Sequence, residues 1–322
     1  MIDYLPLHHF NRTFAKKANM SNKNKPVSSL HPRNKHQGGY DLQHLQSVLP
    51  NLESFVFVND YGKETIDFSD PKAVFELNKA LLLDTYKLKY WDIAKNSLCP
   101  AIPGRADYIH YLADLLAEAH QGSIPTGSQV HILDIGAGSS LVYPLIGAQE
   151  YEWNFTASEI DRTSLHYAEV NINKNPWLKK KIQLRFQNDK NNILEGVIYE
   201  KDQFDAVMCN PPFFKSREDN WNSSTKKFNN LNKNKNIPTV QNFGGHANEL
   251  WCNGGEKAFI TQLIYDSLKY KDQLNWISSL VADKDHLKPL LAVLEYHKAA
   301  DIRLIQTKQG QKLSRILAWK WK

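Results

Sequence analysis

A predominantly apolar run, Phe204-Asp205-Ala206-Val207-Met208-Cys209, stops against Asn210-Pro211-Pro212-Phe213, and this junction restricts the fold more than any other stretch of the chain. Proline has no N–H and fixes its own φ, so two in succession continue neither a helix nor a central strand. The run therefore reads as a buried strand that ends at Asn210. The residue before a proline is also pushed toward extended backbone, so the Asn210 amide and the Pro211 carbonyl form a stiff pair of acceptors. Open α/β sheets bind their ligands beyond the carboxyl ends of strands, where this pair sits. The plainer alternative is an asparagine cap followed by a proline turn.

The rest of the chain supplies a sheet for that strand. Tyr108, Leu112, Leu115, Leu116 and Ala119 mark one face of a helix, and Val130 to Leu133 reads as a first buried strand. Further strands are expected at 151–157, 181–186, 204–209, 274–281, 301–307 and 314–321, with helices at 161–173 and 256–270 between them. Alternation of this kind builds right-handed β-α-β units and a mostly parallel sheet. Only a tight turn at Gly310 separates the last two strands, so they should pair antiparallel. The expected fold is α/β, a Rossmann-like seven-stranded sheet of the class I methyltransferase type, with a helix ahead of its first strand.

Upstream, residues 1–28 read as a flexible tail and 29–95 as a small helical module, leaving 96–322 as the main domain. Asp70-Pro71 is an N-cap and N1 pair, followed by Val74, Leu77 and Leu81 at helical spacing. Residues 40–49 look like the partner helix.

The first strand runs into Asp134-Ile135-Gly136-Ala137-Gly138-Ser139. Glycines at such a turn let a ligand approach the backbone, although Gly-x-Gly alone is shared with structural turns. Glu159 stands at the end of the second strand, about 20 residues beyond them, where a carboxylate accepts hydrogen bonds from ribose hydroxyls. The third glycine of a dinucleotide fingerprint is missing, which favours S-adenosylmethionine, a cofactor with no pyrophosphate to cradle. Arg105 enters the leading helix where a guanidinium can clamp a carboxylate, or simply pair on the helix surface. Asn188 and Asp189, after the third strand, are placed to read the cofactor's adenine or to cap a loop.

At Asn210 and Pro211 the two acceptors fit a planar amino group. An adenine N6 that donates to the Asn210 Oδ1 and the Pro211 carbonyl turns its lone pair toward a methyl donor, with Phe213 stacked on the ring. The next stretch, 215–241, is long and rich in Asn and Lys, which marks a functional lid or a mobile insertion. As a lid it would bring Lys226, Lys227, Lys233 and Lys235 to phosphates. The overall charge of +6 is modest, but Lys and Arg cluster at 15–35, 174–190, 215–235 and 307–322, a pattern that suits RNA or merely a solvated face.

The ordered set of motifs resembles the bacterial 23S ribosomal RNA (adenine(1618)-N(6))-methyltransferase family, relatives of the eukaryotic U6 small nuclear RNA adenine-N6 methyltransferase. It comprises His31-Pro32-Arg33-Asn34, Pro103-Gly104-Arg105-Ala106-Asp107-Tyr108, Leu133-Asp134-Ile135-Gly136, Cys209-Asn210-Pro211-Pro212-Phe213, Asn242-Phe243-Gly244-Gly245, Glu249-Leu250-Trp251-Cys252 and Gln309-Gly310-Gln311-Lys312. The resemblance implies S-adenosylmethionine as donor and one adenine N6 of large-subunit ribosomal RNA as acceptor. It further implies that Arg105, Gly136, Glu159 and Asn210 hold cofactor and base. His31 and Arg33 belong to a family motif that serves RNA contact, closure of an entry channel or anchoring of the N-terminal module.

Two rivals remain. Asn-Pro-Pro with a following aromatic also serves protein glutamine N5-methylation, and the same acceptors suit an adenine-N6 methyltransferase acting on another RNA. A catalytically silent RNA-binding protein would keep the fold without the acceptors. Three scattered cysteines, none at metal-ligand spacing, suit a reducing cytoplasm and no metal. No membrane span is expected, the substrate is free 23S RNA or an assembly intermediate of the large subunit, and the default is a monomer.

Overall fold

The structure is a computed structural model that describes residues 30–95, 97–212, 252, 254–309 and 312–322. Residues 1–28, Phe213, the basic stretch with Lys226, Lys227, Lys233 and Lys235, and the motifs at 242–245 and 249–251 lie outside these described residues.

The N-terminal module opens with α1 (Leu42–Val48) and closes with α2 (Pro71–Thr85). Asp70 is the N-cap of α2, accepting from the Lys72 N–H, with Pro71 in the first turn. Leu42 and Leu45 pack against Leu77, Ala80 and Leu81. Between the helices lies a hairpin that the sequence reading passed over, β1 (Val56–Val58) paired antiparallel with β2 (Glu64–Ile66). Three-residue strands with half of their side chains exposed leave too short a pattern for periodicity to register.

The main domain begins with α3 (Ile102–Glu118) and continues through β3 (His131–Ile135), α4 (Val142–Tyr151), β4 (Asn154–Glu159), α5 (Arg162–Lys174), β5 (Ile182–Phe186) and β6 (Phe204–Cys209). It ends with α6 (Gly255–Lys269), β7 (Leu274–Val281), α7 (Leu287–Tyr296), β8 (Asp301–Gln309) and β9 (Lys312–Lys320). Strand order is β5-β4-β3-β6-β7-β9-β8, parallel except for β9, which is antiparallel to both neighbours. This is the seven-stranded class I methyltransferase sheet, and its last two strands pair as the short turn required.

Neighbouring residues of one strand feed opposite faces. Ile132, Ala206, Met208, Ile316 and Ala318 join a core with α3, α4 and α5. Leu133, Val207, Cys209, Leu317 and Trp319 join another with α6 and α7. Burial on both sides is why these strands read as continuous apolar runs instead of alternating ones.

The segment His31 to His36 ties the module to the domain. Asp107 on α3 accepts the His31 N–H at 2.9 Å and the Asn34 side-chain amide, and all three residues are buried. His31 Nε2 lies 2.9 Å from Asp114, and Arg33 donates to Asp114, the His110 carbonyl and the Tyr151 hydroxyl. Of the three roles open to His31 and Arg33, this geometry serves anchoring. Asp107→Ala should strand two buried donors and lower unfolding stability by about 2–3 kcal/mol. Urea titration checks this, and an unchanged midpoint would mean that the anchor contributes nothing.

Candidate active site

The carboxyl ends of β3, β4, β5 and β6 open into one cavity of about 970 Å³ lined by Arg105, Gly136, Gly138, Glu159, Asn188, Asp189 and Asn210, among others. That volume is at the upper end of small-ligand sites. Five segments far apart in sequence therefore meet at one sheet edge, the crevice beside the topological switch at β3.

The turn after β3 is shaped by its glycines. Gly136 sits at φ +70, a region that favours glycine, and a Cβ built there meets nothing within 4 Å. The backbone is thus open to whatever enters. Gly138, at φ +64, donates its N–H to Glu159 Oε2 at 2.8 Å, while Oε1 accepts from the N–H groups of Ile160 and Asp161. Glu159 is buried, and its carboxylate fixes the glycine turn and the start of α5 together.

Four buried polar oxygens around this edge have no hydrogen-bond partner among the described residues: both of Asp134, Ser139 Oγ and Asn210 Oδ1. Orphaned acceptors at this density mark a place built for a ligand that donates. Burial, with the Glu159 charge beside it, pushes the Asp134 carboxyl up to about 8, while Arg105 pulls the other way. The folded protein holds this proton where the unfolded chain, titrating near 3.8, has lost it, so stability should fall as pH rises from about 4 to about 8. Asp134→Asn should flatten that slope in urea unfolding of the ligand-free protein. An identical slope in the variant would refute the assignment.

Arg105 donates from Nη1 to the Tyr143 hydroxyl at 2.7 Å and lies over that ring, so its guanidinium is oriented into the cavity wall and does not drift on the helix surface. Asp189 accepts from the N–H and side chain of Asn191 and from Asn192, which is the loop-cap geometry, while still lining the cavity with Asn188.

Sequence reasoning missed two supports. The buried Tyr108 hydroxyl receives the Cys209 N–H at 3.3 Å, reaches the Cys209 carbonyl at 3.5 Å and meets Ser278 Oγ at 2.9 Å. It thereby pins the strand end that presents Asn210. Tyr108 was legible only as one apolar position of a helix; its hydroxyl within that stripe was the available signal. The second support is a strap ahead of α3. Asn171 on α5 exchanges bonds with the backbone of Asp92, and Asn175 does so with Lys89 and Tyr90. The strap carries Leu98 and Pro100 into the cavity wall. Among the described residues no three His, Cys, Asp or Glu side chains are grouped to hold a metal ion, and no helix is long and apolar enough to cross a membrane.

A family model described as RNA methyltransferase matches residues 24–322. Among curated relatives, the ribosomal RNA large subunit methyltransferase F of Flavobacterium johnsoniae is 48% identical over 92% of this chain and 94% of its own length. The protein of the same name from Bacteroides fragilis is 44% identical over 91% and 99%. Among solved structures, the hMettl16 catalytic domain in complex with MAT2A 3′UTR hairpin 1 superposes with TM-score 0.76 at 30% identity, covering 92% of this chain and 96% of that one. The N-terminal domain of human METTL16 in complex with SAH gives 0.72 at 29% identity, covering 91% and 99%.

Proposed function

The chain belongs to the RNA methyltransferase family, and on that premise we propose that it transfers a methyl group from S-adenosylmethionine to the N6 of one adenine in 23S ribosomal RNA, the adenine at position 1618. The observation that carries this reading is Asn210 Oδ1, a buried acceptor without a partner among the described residues, at the end of the strand that closes the cavity. The curated relatives named for the large ribosomal subunit RNA support the substrate, and the SAH-bound neighbour supports the cofactor.

S-adenosylmethionine supplies a methyl group already electrophilic enough that alignment and desolvation, not activation, are the remaining task. The protein's residues divide that task. Gly136 and Gly138 leave the backbone open to the cofactor, Glu159 offers its carboxylate to the ribose hydroxyls, and Arg105 meets the methionine carboxylate. Asn188 and Asp189 stand at the cofactor's adenine end. The Asp134 carboxyl, nearly neutral when the cavity is empty, ionises at little cost beside an entering cation.

Asn210 Oδ1 and the Pro211 carbonyl accept the two hydrogens of the target amino group. An aniline-like nitrogen holds its lone pair in the ring π-system, and two in-line acceptors favour the pyramidal form that attacks. The proton left on nitrogen after transfer departs to water or along the same acceptors. Phe213 as a stacking platform and Lys226, Lys227, Lys233 and Lys235 as phosphate contacts complete the proposal from sequence, as does action in the cytoplasm as a monomer.

The test is transfer of label from S-adenosylmethionine to unmodified 23S RNA, free and in large-subunit assembly particles, followed by nucleoside analysis. Label in N6-methyladenosine is expected. Label confined to protein glutamine, or to another nucleoside, would overturn the reading.

A further inference from the structure

Charge is divided unevenly along the chain. Residues 41–85 hold eight Asp or Glu against three Lys, a net of −5 in a chain of net +6, so the remainder carries +11. An acidic surface repels a polyanion, which leaves this part of the N-terminal module unsuited to touch RNA phosphates.

The same stretch gathers exposed apolar side chains on its hairpin. Phe57, Val58, Tyr61 and Phe68 are 50, 64, 88 and 66% exposed. The register explains why. Ile66, paired with Val56, packs into the module's core, whereas the rungs Phe57 with Thr65 and Val58 with Glu64 run on toward the turn that carries Tyr61, and Phe68 follows the end of β2. Single exposed apolar residues are ordinary, but four within the twelve residues from Phe57 to Phe68, on and beside one short hairpin, are a concentration that favours a covering partner. Carboxylates of Glu53, Asp60, Glu64 and Asp67 are exposed around it.

A groove adjoins the patch where a 3₁₀ turn, Pro50–Phe55, runs directly into β1. It is lined by Pro50, Asn51, Glu53, Ser54, Phe55 and Glu76. Glu76 Oε2 is shielded from solvent and has no hydrogen-bond partner among the described residues. A carboxylate oxygen in that state is satisfied by an incoming ammonium or guanidinium.

We propose that this acidic, aromatic face docks a basic protein segment, one that carries Lys or Arg beside apolar residues, on the ribonucleoprotein particle that presents the target RNA. The proposal rests on the ribosomal RNA reading above. Proteins that coat RNA are cationic because they neutralise phosphate, and charge complementarity selects them over the RNA itself. Glu76 and Glu53 receive the cationic side chain, while Phe57, Tyr61 and Phe68 cover the apolar ones. The module then holds protein while the basic remainder of the enzyme holds RNA.

Two measurements on the full-length protein test this. The first places a photo-crosslinking benzoylphenylalanine at Tyr61 and illuminates the enzyme with purified large-subunit particles lacking the methyl group. A crosslink to a basic ribosomal protein is expected; a crosslink to RNA, or none, overturns the proposal. The second compares wild type with the triple variant Phe57→Ser, Tyr61→Ser, Phe68→Ser. Its KM for particles should rise roughly tenfold while its transfer to protein-free 23S RNA is unchanged. Equal loss on both substrates, or on neither, also overturns it. A wild-type enzyme that methylates neither substrate is instead a failure of the ribosomal RNA reading, and the crosslink then decides the docking surface alone.

Discussion

Asn210→Ala should reduce methyl transfer by at least 10²- to 10³-fold, about 2.7–4 kcal/mol of lost transition-state stabilisation, the magnitude typical of removing one fixed polar group from a reacting centre. The effect belongs in kcat. Its Oδ1 is buried, without a partner among the described residues and mounted on a strand end pinned by Tyr108, so the acceptor is in place before any substrate arrives. Nothing must be reorganised when the amino nitrogen rehybridises, and alanine offers no acceptor in its place. Cofactor affinity, read by calorimetry, should stay within about threefold of wild type, since one neutral contact among many carries little of it. Turnover within a few-fold of wild type would remove Asn210 from the mechanism. A parallel collapse of cofactor binding would reassign it to the cofactor.

Glu159→Ala should weaken S-adenosylmethionine binding by 100-fold or more, roughly 3 kcal/mol. Two losses combine in that number. The carboxylate accepts three backbone N–H groups, from Gly138, Ile160 and Asp161, and alanine leaves all three without it. The glycine turn that must stay open to the cofactor loses its brace, and the ribose loses its acceptor. Glu159→Gln separates the two: it retains one acceptor oxygen and should recover part of the affinity, while its ligand-free melting temperature should lie closer to wild type than that of the alanine variant. Equal affinity in all three proteins would show that Glu159 serves the turn alone.

Much of this site could be read from the chain because its parts sit at punctuation. Asn210 follows an apolar run and precedes two prolines, Gly136 follows a buried strand, and Glu159 ends the next one; each is located by where a period stops. The strands themselves fell within a few residues of expectation, 204–209 and 274–281 at both ends, because two-sided burial makes them continuous apolar runs. Tyr108, Asn171 and Asn175 escaped for the opposite reason. Tyr108 and Asn171 lie inside regular helices and Asn175 caps the end of one, positions that packing or capping alone would account for, and each reaches a partner distant in sequence. Tyr108 meets Cys209, 101 residues away, and Asn175 meets Lys89, 86 residues away. No local pattern encodes such a pairing. The hairpin of β1 and β2 was missed because its strands are too short to show a period, and its exposed aromatics, taken one at a time, resemble ordinary surface.

The Cys209 amide, which donates to the Tyr108 hydroxyl, has a consequence for how this enzyme's motions can be watched. Its proton exchanges with solvent only when α3 withdraws from the strand end, because the acceptor belongs to the helix and not to the sheet. Deuterium uptake at that single position therefore gauges how often the reactive edge loosens, while its neighbours within the sheet report global opening. A faster rate at Cys209 than at Val207 would describe an edge that breathes on its own hinge; equal rates would describe a sheet and helix that open only as one body.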